Sequence, residues 1–234
     1  MKVHDVKQGS MEWLMLRAGI VTASEMDSLI TPNFEIKTGK GPKSYIAAKV
    51  AEKWQGGPLP SFQSFEMEQG AILEDEVVKI YNFDFNTIIE RVGFVTTDDG
   101  RVGCSPDGMI ERKVGLEIKC PAAHTHTRYL LDGVLPEGYA HQVHAGMYVT
   151  GLSSWKFISH RRGFPSLVVD VPRDESKQAV IREALELYHA EFEKEWKKML
   201  EKNGGPPPSA QPLSPITPRE ERRKVTTEPL TYLA

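Results

Sequence analysis

The sequence pivots on two neighbouring runs, Gly103-Cys104-Ser105-Pro106-Asp107-Gly108 and Gly115-Leu116-Glu117-Ile118-Lys119-Cys120-Pro121. In the first, Ser105 to Gly108 has the composition of a tight turn: proline fixes one backbone dihedral and glycine closes the turn. In the second, Val114 to Cys120 reads as a β-strand. Side chains alternate between faces along a strand, so Glu117 and Lys119 point one way while Leu116, Ile118 and Cys120 point the other. An acid and a base therefore share one face of an otherwise apolar strand. A second acid, Asp107, stands on the turn just upstream.

Those residue types suit the hydrolysis of a phosphodiester. The reaction needs a water made nucleophilic near neutral pH and stabilisation of charge on the phosphate. Two carboxylates suit Mg²⁺, a hard cation that takes oxygen ligands and keeps several waters. The ion lowers the pKa of a bound water and clamps the phosphate, while a lysine alongside orients that water or neutralises charge. The same short pattern also describes a β-hairpin with a polar strand face, so its neighbours must decide.

Three further blocks accompany it: Trp13, Leu16, Arg17 and Gly19 with Thr22-Ala23-Ser24; Gly70 with Glu74; and Tyr139 with Gln142, running to Met147. In this order, the four blocks resemble those of the PD-(D/E)XK nucleases, and more narrowly the lambda-exonuclease branch of viral alkaline exonucleases. The resemblance spans most of the first two-thirds of the chain. It implies that Asp107 and Glu117 hold metal together with the main-chain carbonyl of Ile118. Lys119 would position or activate the water, and Glu74 would support a second metal or its waters. Two ions per active site are implied, Mg²⁺ or Mn²⁺, since both suit carboxylates. By the same resemblance Arg17, Ser24 and Ser105 bind the 5′-phosphate of a DNA end, and Gln142, supported by Tyr139, contacts phosphate or the catalytic water. It further implies 5′-to-3′ polarity, a processive homotrimeric ring around DNA and a single-strand-annealing recombination partner. The setting would be phage-type recombination in the cytoplasm of a bacterial or phage-infected cell.

Several of these residues also carry a local reading. Thr22-Ala23-Ser24-Glu25 fits a capping box, which would start a helix at Thr22. Ser24 would then lie where free amides and a partial positive charge suit a phosphate, with Arg17 placed to fork onto it. A capped surface helix and an exposed arginine are the plainer alternative. In a helix from about Ser64 to Asn82, Met67, Ala71, Glu74, Val77, Val78 and Tyr81 share a face. Glu74 among apolar groups is costly unless it meets a cation, a donor or a metal, or lies at the edge of the stripe. Gly70 would let that helix approach the sheet closely. Gln142 points inward with Tyr139, Val143, Gly146, Met147 and Thr150, and a buried amide needs partners. His124, His126, His141 and His144, near Cys104 and Cys120, raise a zinc site, although the spacing is not that of a zinc motif.

At the scale of the chain, 234 residues with 40% hydrophobic content suit one domain with a sizeable core. No apolar run is long enough for a membrane span and no signal-peptide pattern opens the sequence. Two cysteines make no disulfide framework, which favours a reducing compartment and argues against a four-cysteine iron–sulfur cluster. A net charge of −3 leaves DNA contact to local basic patches such as the loop with Lys37, Lys40 and Lys43 and the turn Arg161-Arg162-Gly163. Strands at 88–97 and 101–105, joined through Asp98-Asp99-Gly100, are expected to form a central sheet with 114–120. Further strands are expected at 154–160 and 166–171. A helix follows from Asp174 to about Lys202.

The expectation is thus a single α/β domain over residues 1–203, a restriction-endonuclease-like core with a mixed central β-sheet flanked by helices. A flexible Pro/Ser-rich tail over 204–234 would follow. Its expected activity is metal-dependent exonucleolytic cleavage of linear double-stranded DNA. The rivals are an endonuclease of the same superfamily and a catalytically idle adaptor for DNA ends.

Overall fold

Short strands and long helices alternate along the chain. The computed structural model describes residues 1–60, 65–84 and 87–205, the side chains of 65–72 and 84 excepted. The side chains of Met67 and Ala71, the close approach expected at Gly70 and the expected tail from residue 206 onward lie outside what is described. The elements are β1 (Lys2–His4), α1 (Met11–Arg17), β2 (Val21–Thr22), a 3-10 helix (Ala23–Ser28), α2 (Lys40–Gln55), α3 (Phe65–Asp84), β3 (Ile89–Glu90), β4 (Phe94–Thr96) and β5 (Val102–Cys104). They continue as β6 (Gly108–Ile110), β7 (Val114–Lys119), α4 (Ala123–Asp132), α5 (Glu137–Thr150), β8 (Ser154–Ser159), β9 (Leu167–Pro172) and α6 (Glu175–Asn203).

Two mixed sheets replace the one expected. A four-stranded sheet runs β1-β4-β5-β2 and a five-stranded sheet runs β3-β6-β7-β8-β9. The hairpin expected at Asp98-Asp99-Gly100 forms, pairing Val95 with Cys104, but it belongs to the first sheet while β7 lies at the centre of the second. The continuous strand expected over 88–97 is broken between β3 and β4, which pair in different sheets. Gly93 sits at the break. A Cβ there would lie 2.0 Å from the Val6 carbonyl oxygen, so the backbone passes the end of β1 and the residues after it too closely for any side chain. Ser105-Pro106-Asp107 is likewise the crossing from β5 in one sheet to β6 in the other, and Gly108 already belongs to a strand.

Helices pack on both faces of the five-stranded sheet. Leu116 and Ile118, on one face of β7, form a buried cluster with Ile158 and with Val77, Val78 and Tyr81 of α3. The opposite face meets α5, whose Val143 and Met147 pack with Trp155 and Val171. The largest core lies around the first sheet, where α2, α5 and α6 enclose Val21, Met26, Ile30, Val95 and Val102. Asp174 caps α6 by accepting from the Ser176 and Lys177 amides, and the helix buries Ile181, Leu185, Tyr188 and Phe192 as its spacing predicts.

Candidate active site

Strand β7 delivers the acid and the base. Its alternation turns Leu116 and Ile118 into the α3 cluster and Glu117 and Lys119 towards α5. Glu117 is 3% exposed, and its Oε1 accepts from Lys119 Nζ at 2.5 Å and from Gln142 Nε2 at 2.7 Å. Asp107 is fixed from the crossing between the sheets. Its amide donates to the Leu116 carbonyl at 3.0 Å, and its Oδ2 accepts from the Ile118 amide at 2.6 Å. The side chain of Ile118 is in the core, so any part it plays in ligation falls to its carbonyl oxygen.

Burial dominates the electrostatics. It pushes the Glu117 carboxyl up to about 7, with Lys119 pulling it down and Asp107 adding to the rise. Glu74, half-buried on α3, is also pushed up to about 7, by burial and then by the charge of Asp107. Asp107 is raised by burial against the pull of Lys119. Burial alone would depress Lys119, but Glu117 and Asp107, with Glu74 behind them, hold it above its ordinary value, so the ammonium stays charged. Three acids crowd around one lysine. That set of hard oxygens, each reluctant to ionise, fits a divalent cation. Among the described residues no three His, Cys, Asp or Glu side chains form a ready ligand cluster. The protein would therefore fill only part of a coordination shell, as suits an ion that keeps several waters.

A second group of expected residues meets the first in one small cleft. Arg17, Ser24, Ser105, Glu117 and Gln142 line a cavity of about 30 Å³ beneath the end of β7. Ser10 caps α1 by accepting from the Trp13 amide, and the helix runs to Arg17. The Arg17 guanidinium lies 4.2 Å from the Trp13 ring centroid and donates to Thr22 Oγ1 at 3.3 Å and Ser24 Oγ at 3.2 Å. Trp13 Nε1 in turn donates to Ser105 Oγ at 2.8 Å. The capping box expected at Thr22 does not form: the segment is a six-residue 3-10 helix without a side-chain cap, and the Thr22 hydroxyl donates to Glu25 Oε2 at 2.8 Å instead. Ser24 lies in the first turn of that short helix, and its hydroxyl meets the Arg17 guanidinium and the Thr22 hydroxyl. Tyr139 stacks on Phe157 at 5.3 Å and stands 5.5 Å from Lys119 Nζ.

Some expected contacts go elsewhere. Arg162 forms an exposed ion pair with Glu76, tying α3 to the β8–β9 turn. His126 is buried between Ser159 Oγ at 2.7 Å and the Pro165 carbonyl at 2.9 Å, both structural partners. Two residues escaped the sequence reading. Arg91 donates to the Asp107 carbonyl at 2.7 Å and pairs with Asp75 of α3, and Gln8 donates to the carbonyls of Val92 and Pro106. Neither lies in a motif, and only the break after β3 brings Arg91 to the site.

Fold and site together define the class: the protein is a nuclease of the PD-(D/E)XK superfamily, an exonuclease-type phosphodiester hydrolase. The family profile of the YqaJ-like viral recombinase domain matches residues 12–153, more than half of the chain, and the chain belongs to that family. Among solved structures it is similar to LHK-Exo in complex with dAMP, with a TM-score of 0.75 and 25% identity over 83% of this chain and 98% of that one. The alkaline exonuclease LHK-Exo from Laribacter hongkongensis, in a second structure, gives a TM-score of 0.74 at 24% identity, covering 83% and 98% of the two chains. A phage-related exonuclease from Haemophilus somnus 129PT shares the fold, with a TM-score of 0.59 at 13% identity over 77% of this chain and 96% of that one. No curated protein sequence matches the chain significantly.

Proposed function

We propose that the protein is a Mg²⁺-dependent exonuclease that degrades one strand of linear double-stranded DNA, 5′ to 3′, from a 5′-phosphorylated end. The observation that carries this reading is the shared cleft, in which Arg17, Ser24, Ser105 and Gln142 meet Glu117. A guanidinium forks onto phosphate oxygens and the two serine hydroxyls add donors. A terminal phosphate held there stands beside the carboxylates, which restricts cutting to an end. Asp107 and Glu117, with the Ile118 carbonyl, would hold the ion, and Glu74 would hold a second ion or its waters. Bound Mg²⁺, or Mn²⁺, supplies an activated water and charge neutralisation. Lys119 orients that water and offsets charge on the phosphate, while Gln142 keeps Glu117 turned to the cleft and Tyr139 walls in Lys119. The structural likeness to LHK-Exo, solved in complex with dAMP, supports a nucleic-acid substrate.

The viral recombinase family supports a place in phage-type homologous recombination. To that role belong a homotrimer enclosing DNA, a single-strand-annealing partner and a cytoplasmic setting. The test is digestion, with Mg²⁺, of linear duplex bearing 5′-phosphate or 5′-hydroxyl ends, with closed circular DNA and Lys119→Ala alongside. Preferential loss of the 5′-phosphorylated strand, with circle and variant inert, is expected. A nicked circle would replace the reading by an endonuclease, and inert wild-type protein by an idle adaptor.

A further inference from the structure

Behind Arg17 lies a buried charge network that the nuclease chemistry leaves unused. Lys49 of α2 is 4% exposed and pairs with Glu25 Oε1 at 3.0 Å and Glu52 Oε2 at 3.1 Å. Glu25 Oε2 accepts from Tyr45 Oη at 3.1 Å and from the Thr22 hydroxyl at 2.8 Å. Glu52 Oε2 also accepts from the Gly19 amide at 2.8 Å. One lysine thus binds together the segment from Gly19 to Glu25, whose ends flank Arg17 and Ser24. A buried cation with two carboxylates is weak support for stability, since the cost of removing charges from water offsets their attraction. Its worth is in geometry.

The geometry concerns the route from Glu25 to Arg17. The Thr22 hydroxyl bridges them: it accepts from Arg17 Nη2 and donates to Glu25 Oε2. An arginine left beside a free carboxylate closes a bidentate pair, the strongest contact open to it. Here Glu25 is already held by Lys49, Tyr45 and Thr22, and Arg17 donates to hydroxyls, which yield readily to a phosphate. We infer that Lys49 is a positioning and specificity-determining residue: by sequestering Glu25 it keeps Arg17 open for the 5′-phosphate of the DNA end. This rests on the 5′-phosphate reading of the cleft.

The readout is the ratio of initial rates on 5′-phosphorylated over 5′-hydroxyl duplex, at substrate below KM, which a loss of stability alone would not move. Wild type is expected to favour the phosphate. In Lys49→Met the freed Glu25 captures Arg17 and the ratio falls about tenfold, the equivalent of one charge-assisted contact. In Lys49→Met/Glu25→Gln the competitor is gone and the ratio recovers. A Lys49→Met ratio equal to wild type, or a double variant that stays low, overturns the inference while the wild-type preference leaves the cleft reading standing. A wild type without preference overturns both. Should Lys49→Met fail to fold, Lys49→Gln removes the charge that holds Glu25 while keeping a polar group in the buried position, and an unchanged ratio there is equally fatal.

Discussion

Glu117 is the residue on which the site converges, since one oxygen receives both Lys119 and Gln142 while its strand neighbour Ile118 anchors Asp107. Removing Lys119 takes away the cation paired directly with Glu117 and charged against Asp107 and Glu74. Lys119→Ala should lower the single-turnover cleavage rate by roughly 10²–10⁴-fold, the usual worth of a positioned proton-transfer or charge-stabilising group. DNA binding, read by fluorescence anisotropy in Ca²⁺, should change little. A pH profile tests the same cluster. Burial holds Glu74 and Glu117 near 7, and both must be ionised to work as ligands. At limiting Mg²⁺ the rate should therefore climb from pH 6 to pH 8, and a flat profile would remove these carboxyls from the rate. At this scale the sequence was informative wherever chemistry dictated residue type, as at Asp107, Glu117 and Lys119. It was silent on Arg91, whose contact with Asp107 depends on a chain break invisible in composition.

Strand β8 and helix α5 share responsibility for where Gln142 points. Their contact is tightest at Gly146, where a Cβ would lie 2.7 Å from the Trp155 ring. Neither the indole, 2% exposed, nor the helix backbone has room to yield. Gly146→Ala should cost about 1–3 kcal/mol of stability by overpacking, measured by urea unfolding. It should also slow cleavage, because lifting α5 draws Gln142 off Glu117. Element type was legible in proportion to length. The helices α5 and α6 repeat their apolar residues over several turns and emerge where their spacing predicts, whereas α2 starts at Lys40 and takes Lys40 and Lys43 out of the expected loop. Strands β3 to β6 hold two or three residues each, too few for alternation to say which sheet they join. Their assignment to two sheets depends on the close approach at Gly93 and the crossing at Pro106, tertiary facts with no local signature. The failure at Thr22 is of another kind: its hydroxyl accepts from the Arg17 guanidinium and donates to Glu25, itself held by distant Lys49, rather than accepting from a backbone amide as a cap.

For the whole molecule, the site is a standing electrostatic cost in the metal-free protein. The ordinary carboxyl value for glutamate is 4.5, and both Glu74 and Glu117 sit near 7 in the folded protein. Between those values the native state binds more protons than the unfolded chain, so these groups make stability fall as pH rises. Lys119, raised above 10.5, lends stability that is lost only at still higher pH and does not act in this window. Histidines act in the opposite sense: burial lowers His144 and His189 to about 4, so their contribution improves with rising pH. A raw melting curve would mix the two, but a difference between variants cancels the histidines. In metal-free buffer, Glu74→Gln should gain stability over wild type by about 1 kcal/mol or more between pH 5 and pH 8, and none of that gain should be present at pH 4. Mg²⁺ should reverse the order at pH 8, since binding to the native state stabilises it in proportion to occupancy. It should raise the Tm of the wild type more than that of Glu74→Gln, and leave Asp107→Ala unmoved. Equal Mg²⁺ shifts in all three proteins would show that the ion binds away from these carboxylates, and the buried acids would then need another reason to be where they are.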